Sequence, residues 1–184
     1  MALRDDAPGI HHVIVAATDY MQYFADDIDR LDWLRRFIRI LDRFEWTCLI
    51  FCQMTTHVHL LIETFDRSLS VGMKRLNESY GREFNGRHER RGALIRRRFW
   101  SRRAEDEAYV IGAFRYIALN PVREGMCAQA EDWYWSSFAT SCGLAETFPF
   151  VDATRVLASL GSPPRTAAQV LLPLVADGQN RHAA

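Results

Sequence analysis

Apolar residues recur along this chain with two different periods, and the switches between them mark out the elements. Ile10 to Ala17 reads as a strand, with His11, Val13 and Val15 on one face. Between Asp27 and Arg43 the period lengthens, and Leu31, Leu34, Ile38 and Leu41 form the apolar stripe of a helix. Its N-terminus is rich in Asp, which suits the helix dipole, and Arg35, Arg36, Arg39 and Arg43 are expected to face outward. Glu45 to Gln53, rich in aromatic and β-branched residues, predicts a second strand. A three-residue turn leads into a third strand, His57 to Glu63, so the two should pair as an antiparallel hairpin. In that third strand His57, His59, Leu61 and Glu63 share one face, and Val58, Leu60 and Ile62 make an apolar face opposite.

Ser68 is placed to cap a helix running to about Gly86, with Leu69, Met73, Leu76, Tyr80 and Phe84 inward. Ala93 to Arg103 reads as a basic strand or extended segment. A further helix is expected from near Glu105, with Val110, Ala113, Phe114 and Ile117 as its buried stripe. Tyr116 lies about 100° round from the centre of that stripe, and Tyr109 and Gly112 fall on nearly the same line. Asn120 precedes Pro121, which disfavours the α conformation, so this helix should end at about Leu119 with Asn120 at its exit. Asp132 to Cys142 suggests another short helix, packed down by Trp133, Tyr134, Trp135 and Phe138. The order β-α-β-β-α-β predicts an α+β fold of the ferredoxin-like split kind, with an antiparallel sheet. Two helices should cover one sheet face, while the other carries His57 and His59 and receives the Tyr116 helix. Residues 1–143 are expected to form the main domain, and 144–184 a C-terminal extension, either a docking helix or a loose tail. A break at Gly161-Ser162-Pro163-Pro164 precedes an apolar stretch from Ala167 to Val175.

Charge alters this picture less by its total than by its distribution. The chain of 184 residues carries 23 basic and 23 acidic side chains. Yet Lys74 to Arg103 holds eleven basic residues against three Glu, while the first part of the chain is rich in Asp. All but one of the basic residues are Arg, which grips phosphate bidentately and stacks on bases. In Arg96-Arg97-Arg98-Phe99-Trp100-Ser101-Arg102-Arg103, charge and aromatic rings interleave as in a single-strand binding groove. With Lys74, Arg75, Arg82 and Arg123, these residues (Ser101 apart) are the candidate DNA contacts; a solvated basic face is the alternative reading. No run of 18 apolar residues and no secretory leader pattern is evident, so a cytoplasmic location is expected. Cys48, Cys52, Cys127 and Cys142 form no Cys-x-x-Cys pair; Cys48 and Cys52 are expected to share a strand face, reduced.

The candidate chemistry rests on few side chains. Two imidazoles on one strand face, His57 and His59, are a ready pair of metal ligands, or else a structural pair. Tyr116, at the edge of the core, is either a reactive phenol or an ordinary boundary residue, and Asn120 either ligates or stops the helix. His11 and His12 read as structural, a DNA contact being the lesser alternative.

Met54-Thr55-Thr56-His57-Val58-His59-Leu60-Leu61, followed by Arg115-Tyr116-Ile117-Ala118-Leu119-Asn120-Pro121-Val122-Arg123, resembles the single-tyrosine HUH transposases. The similarity is greatest to the REP-associated tyrosine transposases of bacteria. Tyr80 to Asn85, Arg98-Phe99 with Ser101, Glu105 to Tyr109 and Trp135-Ser136-Ser137 support it, from about Ile10 to Gly143. The chain departs from the family at Met54-Thr55-Thr56, where Met-Pro-Asn is usual, and at Ala17-Thr18-Asp19, where an Arg-Gly turn is usual. It also has Trp100 where lysine is common. The resemblance implies a metal site of His57, His59 and Asn120 and a nucleophile at Tyr116. It implies a metal-dependent endonuclease and strand-transferase acting on single-stranded DNA near hairpins through a 5′-phosphotyrosine link. Mg²⁺ or Mn²⁺ is the implied ion, and a monomer is favoured over a dimer. A relative that binds hairpin DNA or RNA without cutting it is the competing expectation.

Overall fold

Strand β1 (Gly9–Ala16) sits inside the sheet because the chain around it supplies two antiparallel partners. The hairpin of β2 (Thr47–Gln53) and β3 (His57–Thr64) lies on one side, and β4 (Trp100–Arg103) on the other, in the order β2-β3-β1-β4. This is the split β-α-β arrangement expected from the sequence. The computed structural model describes residues 6–18, 21–95, 99–160 and 166–180, with side chains to 176 in the last segment. Arg96, Arg97 and Arg98, three of the candidate DNA contacts, lie outside the described residues.

Helices α1 (Asp27–Phe44) and α2 (Leu69–Arg87) cover one sheet face. There Val13, Val15, Phe51, Val58, Leu60 and Ile62 meet Trp33, Phe37, Leu41, Met73, Leu76 and Tyr80. The buried side of α1 is centred on Trp33, Phe37 and Ile40 rather than on the expected stripe: Leu34 and Leu41 are buried, but Leu31 is exposed and Ile38 only partly covered. The aromatic rings took the core because they bury the larger apolar area. Leu69, Met73, Leu76, Tyr80 and Phe84 of α2 all point inward as expected. Ser68 does occupy the N-cap position, but its side chain does not cap the helix. Its hydroxyl instead accepts a bond from the Trp46 indole N–H at 2.8 Å, and Asp66 takes the Ser68 amide.

Helix α3 (Glu107–Arg123) lies on the opposite face, with short helices α4 (Phe138–Ser141) and α5 (Thr154–Ser159) and the later α6 (Ala167–Asn180) around it. Asp132 to Cys142 is thus mostly irregular, with a 3₁₀ turn at Ala130–Asp132 and only the one-turn helix α4. Val110, Ala113, Phe114 and Ile117 form the buried stripe of α3, against Leu49, Ile50, Leu61, Leu171 and Val175. A bulge in β2 between Cys48 and Ile50 turns Cys48 toward the α1–α2 side and Cys52 toward the α3 side. The two thiols therefore do not share a face, contrary to simple alternation. The basic segment contributes a strand of four residues, and Phe99 before it is buried among the α1–α2 core residues.

Candidate active site

The site stands at the end of the sheet where β3 begins. Antiparallel register sets Ile14 opposite both His59 and Trp100, and His12 opposite both Leu61 and Arg102. Because side chains alternate, His12, His57, His59 and Trp100 all emerge on the face that receives α3. Asp106 caps that helix by accepting from the Tyr109 amide at 2.7 Å. The helix does not stop at Leu119; it runs through Asn120 and Pro121 to Arg123. Proline removes one amide donor and biases the residue before it, but here it falls in the last turns and its ring is buried. Tyr116 and Asn120 are consequently four residues apart on one helix, on the same side, which the expected helix stop had excluded.

The two imidazoles converge, with His57 Nε2 and His59 Nε2 3.0 Å apart. Each ring has its other nitrogen engaged behind it: His57 Nδ1 lies 3.0 Å from Thr56 Oγ1, and His59 Nδ1 lies 3.4 Å from His12 Nε2. The Asn120 side chain lies beside both rings, near enough to favour their charged forms. Burial holds all three imidazoles in the neutral form, His12 at about 4 and His59 at about 3, with His57 lowered as well. The neighbouring His57 and His12 rings push His59 further down, while the Asn120 side chain opposes the shift. On His57 the charge of Glu124 and the Asn120 side chain oppose burial.

This arrangement fits a divalent cation. Neutral imidazoles are the ligating form. Two nitrogens bound at right angles to an ion, each at about 2.1 Å, would stand about 3.0 Å apart. Nδ1 partners behind each ring are the usual means of aiming Nε2 at a metal. Among the described residues no group of three or more His, Cys, Asp or Glu stands together to hold an ion, and the potential donors gathered here are the His57 and His59 imidazoles with the Asn120 amide beside them. His12 is a backing residue, since it meets His59 at the nitrogen turned away from His57.

Tyr116 is 41% exposed. Its ring centre lies 5.4 Å from that of His59 and 5.9 Å from that of His12. The Arg123 guanidinium sits 5.1 Å from the ring centre. Trp100 packs edge-on against His12 at 5.3 Å, and the Arg102 guanidinium lies 4.5 Å from the Tyr109 ring centre.

The other candidate contacts separate onto a second face. Lys74 and Arg82 border a groove of about 650 Å³ between α2 and residues 92–95 with Phe99. Arg75 is exposed on α2, and Arg103 lies in β4 beside Gly9. The structure thus gathers His57, His59, Tyr116 and Asn120, the set implied by the family resemblance, and sets Trp100, Arg102 and Arg123 of the candidate DNA contacts beside them, a proximity the sequence did not give. Sequence reasoning missed His12, whose place in the site depends on strand register, and Glu124, whose approach depends on α3 continuing past Pro121.

A split antiparallel sheet with paired histidines on one strand, backed by a tyrosine helix, defines the class of the HUH tyrosine transposases. Residues 9–107 match the family model of IS200-like transposases, and the chain belongs to that family. The matched stretch contains His57 and His59 and ends at the first residue of α3, before Tyr116 and Asn120. A REP-associated tyrosine transposase of Haemophilus influenzae is 24% identical over 108 residues. That alignment covers 53% of this chain and 61% of the relative, so it spans about three fifths of that protein's length. A solved structure of a REP-associated tyrosine transposase bound to a REP hairpin shares the fold, with a TM-score of 0.66 at 16% identity. It covers 79% of this chain and 88% of that one. Among the described residues no helix is long and apolar enough to cross a membrane.

Proposed function

We propose that this protein is a metal-dependent endonuclease and strand-transferase for single-stranded DNA beside hairpins, with Tyr116 as its nucleophile. The observation that carries the reading is an exposed phenol whose ring touches one member of a converged imidazole pair. His57, His59 and Asn120 would hold the ion, and Mg²⁺ or Mn²⁺ bound there would polarise a phosphate oxygen. Tyr116 Oη attacks phosphorus, the bond from phosphorus to the 3′ oxygen breaks, and that oxygen leaves with a proton. The product is a 5′-phosphotyrosine link and a free 3′-hydroxyl. Attack by a 3′-hydroxyl on the link reverses the step, so strands rejoin without an external energy source. Arg123, whose guanidinium lies close to the Tyr116 ring, would hold a phosphate oxygen. Tyr116 adjoins histidines of its own chain, which supports a monomer acting alone. Hairpin DNA as partner is supported by the structural relative, which was solved with a REP hairpin.

The test is incubation with hairpin-bearing single-stranded DNA and Mn²⁺, followed by denaturing electrophoresis. A shifted protein band is expected, lost in Tyr116→Phe with affinity kept within about threefold, and lost in His57→Ala together with metal-dependent cleavage. Tight, salt-sensitive binding with no cleavage under any divalent ion would instead establish a binding protein. An adduct that persists in Tyr116→Phe would remove the nucleophile assignment.

A further inference from the structure

We infer that the recess beside Tyr116 is a stacking subsite for one unpaired base next to the scissile phosphate; this rests on the reading that single-stranded DNA is held at Tyr116. The recess, of about 500 Å³, opens between β4 and α3 and is bordered by His12, Ile14, Trp100, Tyr109, Gly112 and Tyr116. That volume lies within the range of small-ligand clefts.

Three features point to a base rather than to an apolar peptide side chain. First, the walls are aromatic rings of several orientations, and Trp100 is 49% exposed on an edge strand although it is held edge-on by His12. Leaving such a ring half in water at a fixed angle suits a surface that receives another flat group. Second, cations frame the recess: Arg102 lies over Tyr109 and Arg123 over Tyr116. Guanidinium groups beside stacking rings match a strand in which phosphates alternate with bases. Third, residue 112 is a glycine inside a regular helix, where glycine costs about 1 kcal/mol relative to alanine. Its backbone is not in a left-handed conformation, and a Cβ built there meets nothing within 4 Å. No turn or close approach calls for glycine here, and its effect is to keep the floor of the recess open. The recess adjoins the Tyr116 ring, so a base seated in it belongs to a nucleotide flanking the phosphate under attack.

The test compares binding of a short oligothymidylate with binding of an equally long strand of abasic residues, at low salt, by fluorescence anisotropy. Trp100→Ala should weaken binding of the thymidine strand by about 5- to 150-fold and leave the abasic strand nearly unchanged. Trp100→Tyr, which keeps a stacking ring, should recover most of the affinity. Gly112→Leu, which fills the recess from a helical position with open space, should reproduce the selective loss. No loss on the thymidine strand, or an equal loss on both strands, would overturn the stacking subsite while leaving the single-strand reading intact. Failure of the unmodified protein to bind either strand would overturn that underlying reading and the subsite with it.

Discussion

His12, His57 and His59 show how much of this site depends on single groups held in one protonation state. All three are kept neutral by burial, His12 and His59 with values pushed down to about 4 and about 3. An imidazole in the unfolded chain titrates near ~6.5, so between about pH 6.5 and 4 the unfolded state binds more protons than the folded one. Stability must then fall as pH drops through that window, by on the order of 2 kcal/mol for each fully buried ring. Urea unfolding at pH 7 and pH 5 should show the lower midpoint at pH 5, and His12→Gln should show a shallower dependence. A midpoint unchanged until carboxylates titrate would contradict this environment. The His-x-His pair was legible because alternation alone puts both rings on one face of a strand. His12 was not, because its partner lies 47 residues away and only the β1–β3 register brings them together.

Elements were readable where their periodicity was strong and misjudged where a local rule met tertiary packing. The helix carrying Tyr116 was expected to stop before Pro121, yet it continues, with Ile117 to Pro121 all buried. Burial of that turn against the sheet and the C-terminal helices outweighs the bias of a pre-proline residue, and it carries Asn120 to the imidazoles. The bulge in β2 likewise defeats the alternation that would have put both thiols on one side. Helix α2 offers a sharper case of close approach. A Cβ at Gly72 would lie 2.2 Å from Cη2 of the buried Trp46 ring. In an open helix Gly→Ala gains up to about 1 kcal/mol, but here Gly72→Ala should cost about 1–3 kcal/mol through overpacking. Chemical denaturation reads the sign directly, and a stabilised variant would show that Trp46 can move aside.

Across the whole molecule, the segment Trp133-Tyr134-Trp135-Ser136-Ser137 closes the outer edge of β2. Gln53 donates its amide to the Trp135 carbonyl at 2.9 Å, Ser137 donates to Phe51 at 3.0 Å, and the Trp133 indole N–H reaches the Gln53 carbonyl at 3.1 Å. Arg30 of α1 fastens this edge from beneath: its guanidinium donates to the Gln53 carbonyl at 3.0 Å and lies within 6 Å of the Phe24, Trp133 and Trp135 rings. Arg30→Met should cost about 2–4 kcal/mol, by loss of the ring contacts and of a donor to a buried carbonyl. Amide exchange at Gln53 and Ser137 should quicken in the same variant; unaltered stability and exchange would mean the edge is held without Arg30. The overall charge balance, by contrast, conceals the arrangement that matters: among the described residues Lys74 and Arg82 border the groove beside α2, while Arg102 and Arg123 frame the Tyr116 side. The proposed chemistry depends on a phenol from α3 acting beside an imidazole pair from β3. Its most direct measurement is mass spectrometry of tryptic peptides after reaction with hairpin-bearing single-stranded DNA and Mn²⁺. A nucleotide 5′-phosphate is expected on the peptide spanning residues 116–123, whose one tyrosine is Tyr116. Cleaved DNA with that peptide unmodified, or a nucleotide attached at Tyr109 instead, would contradict that chemistry.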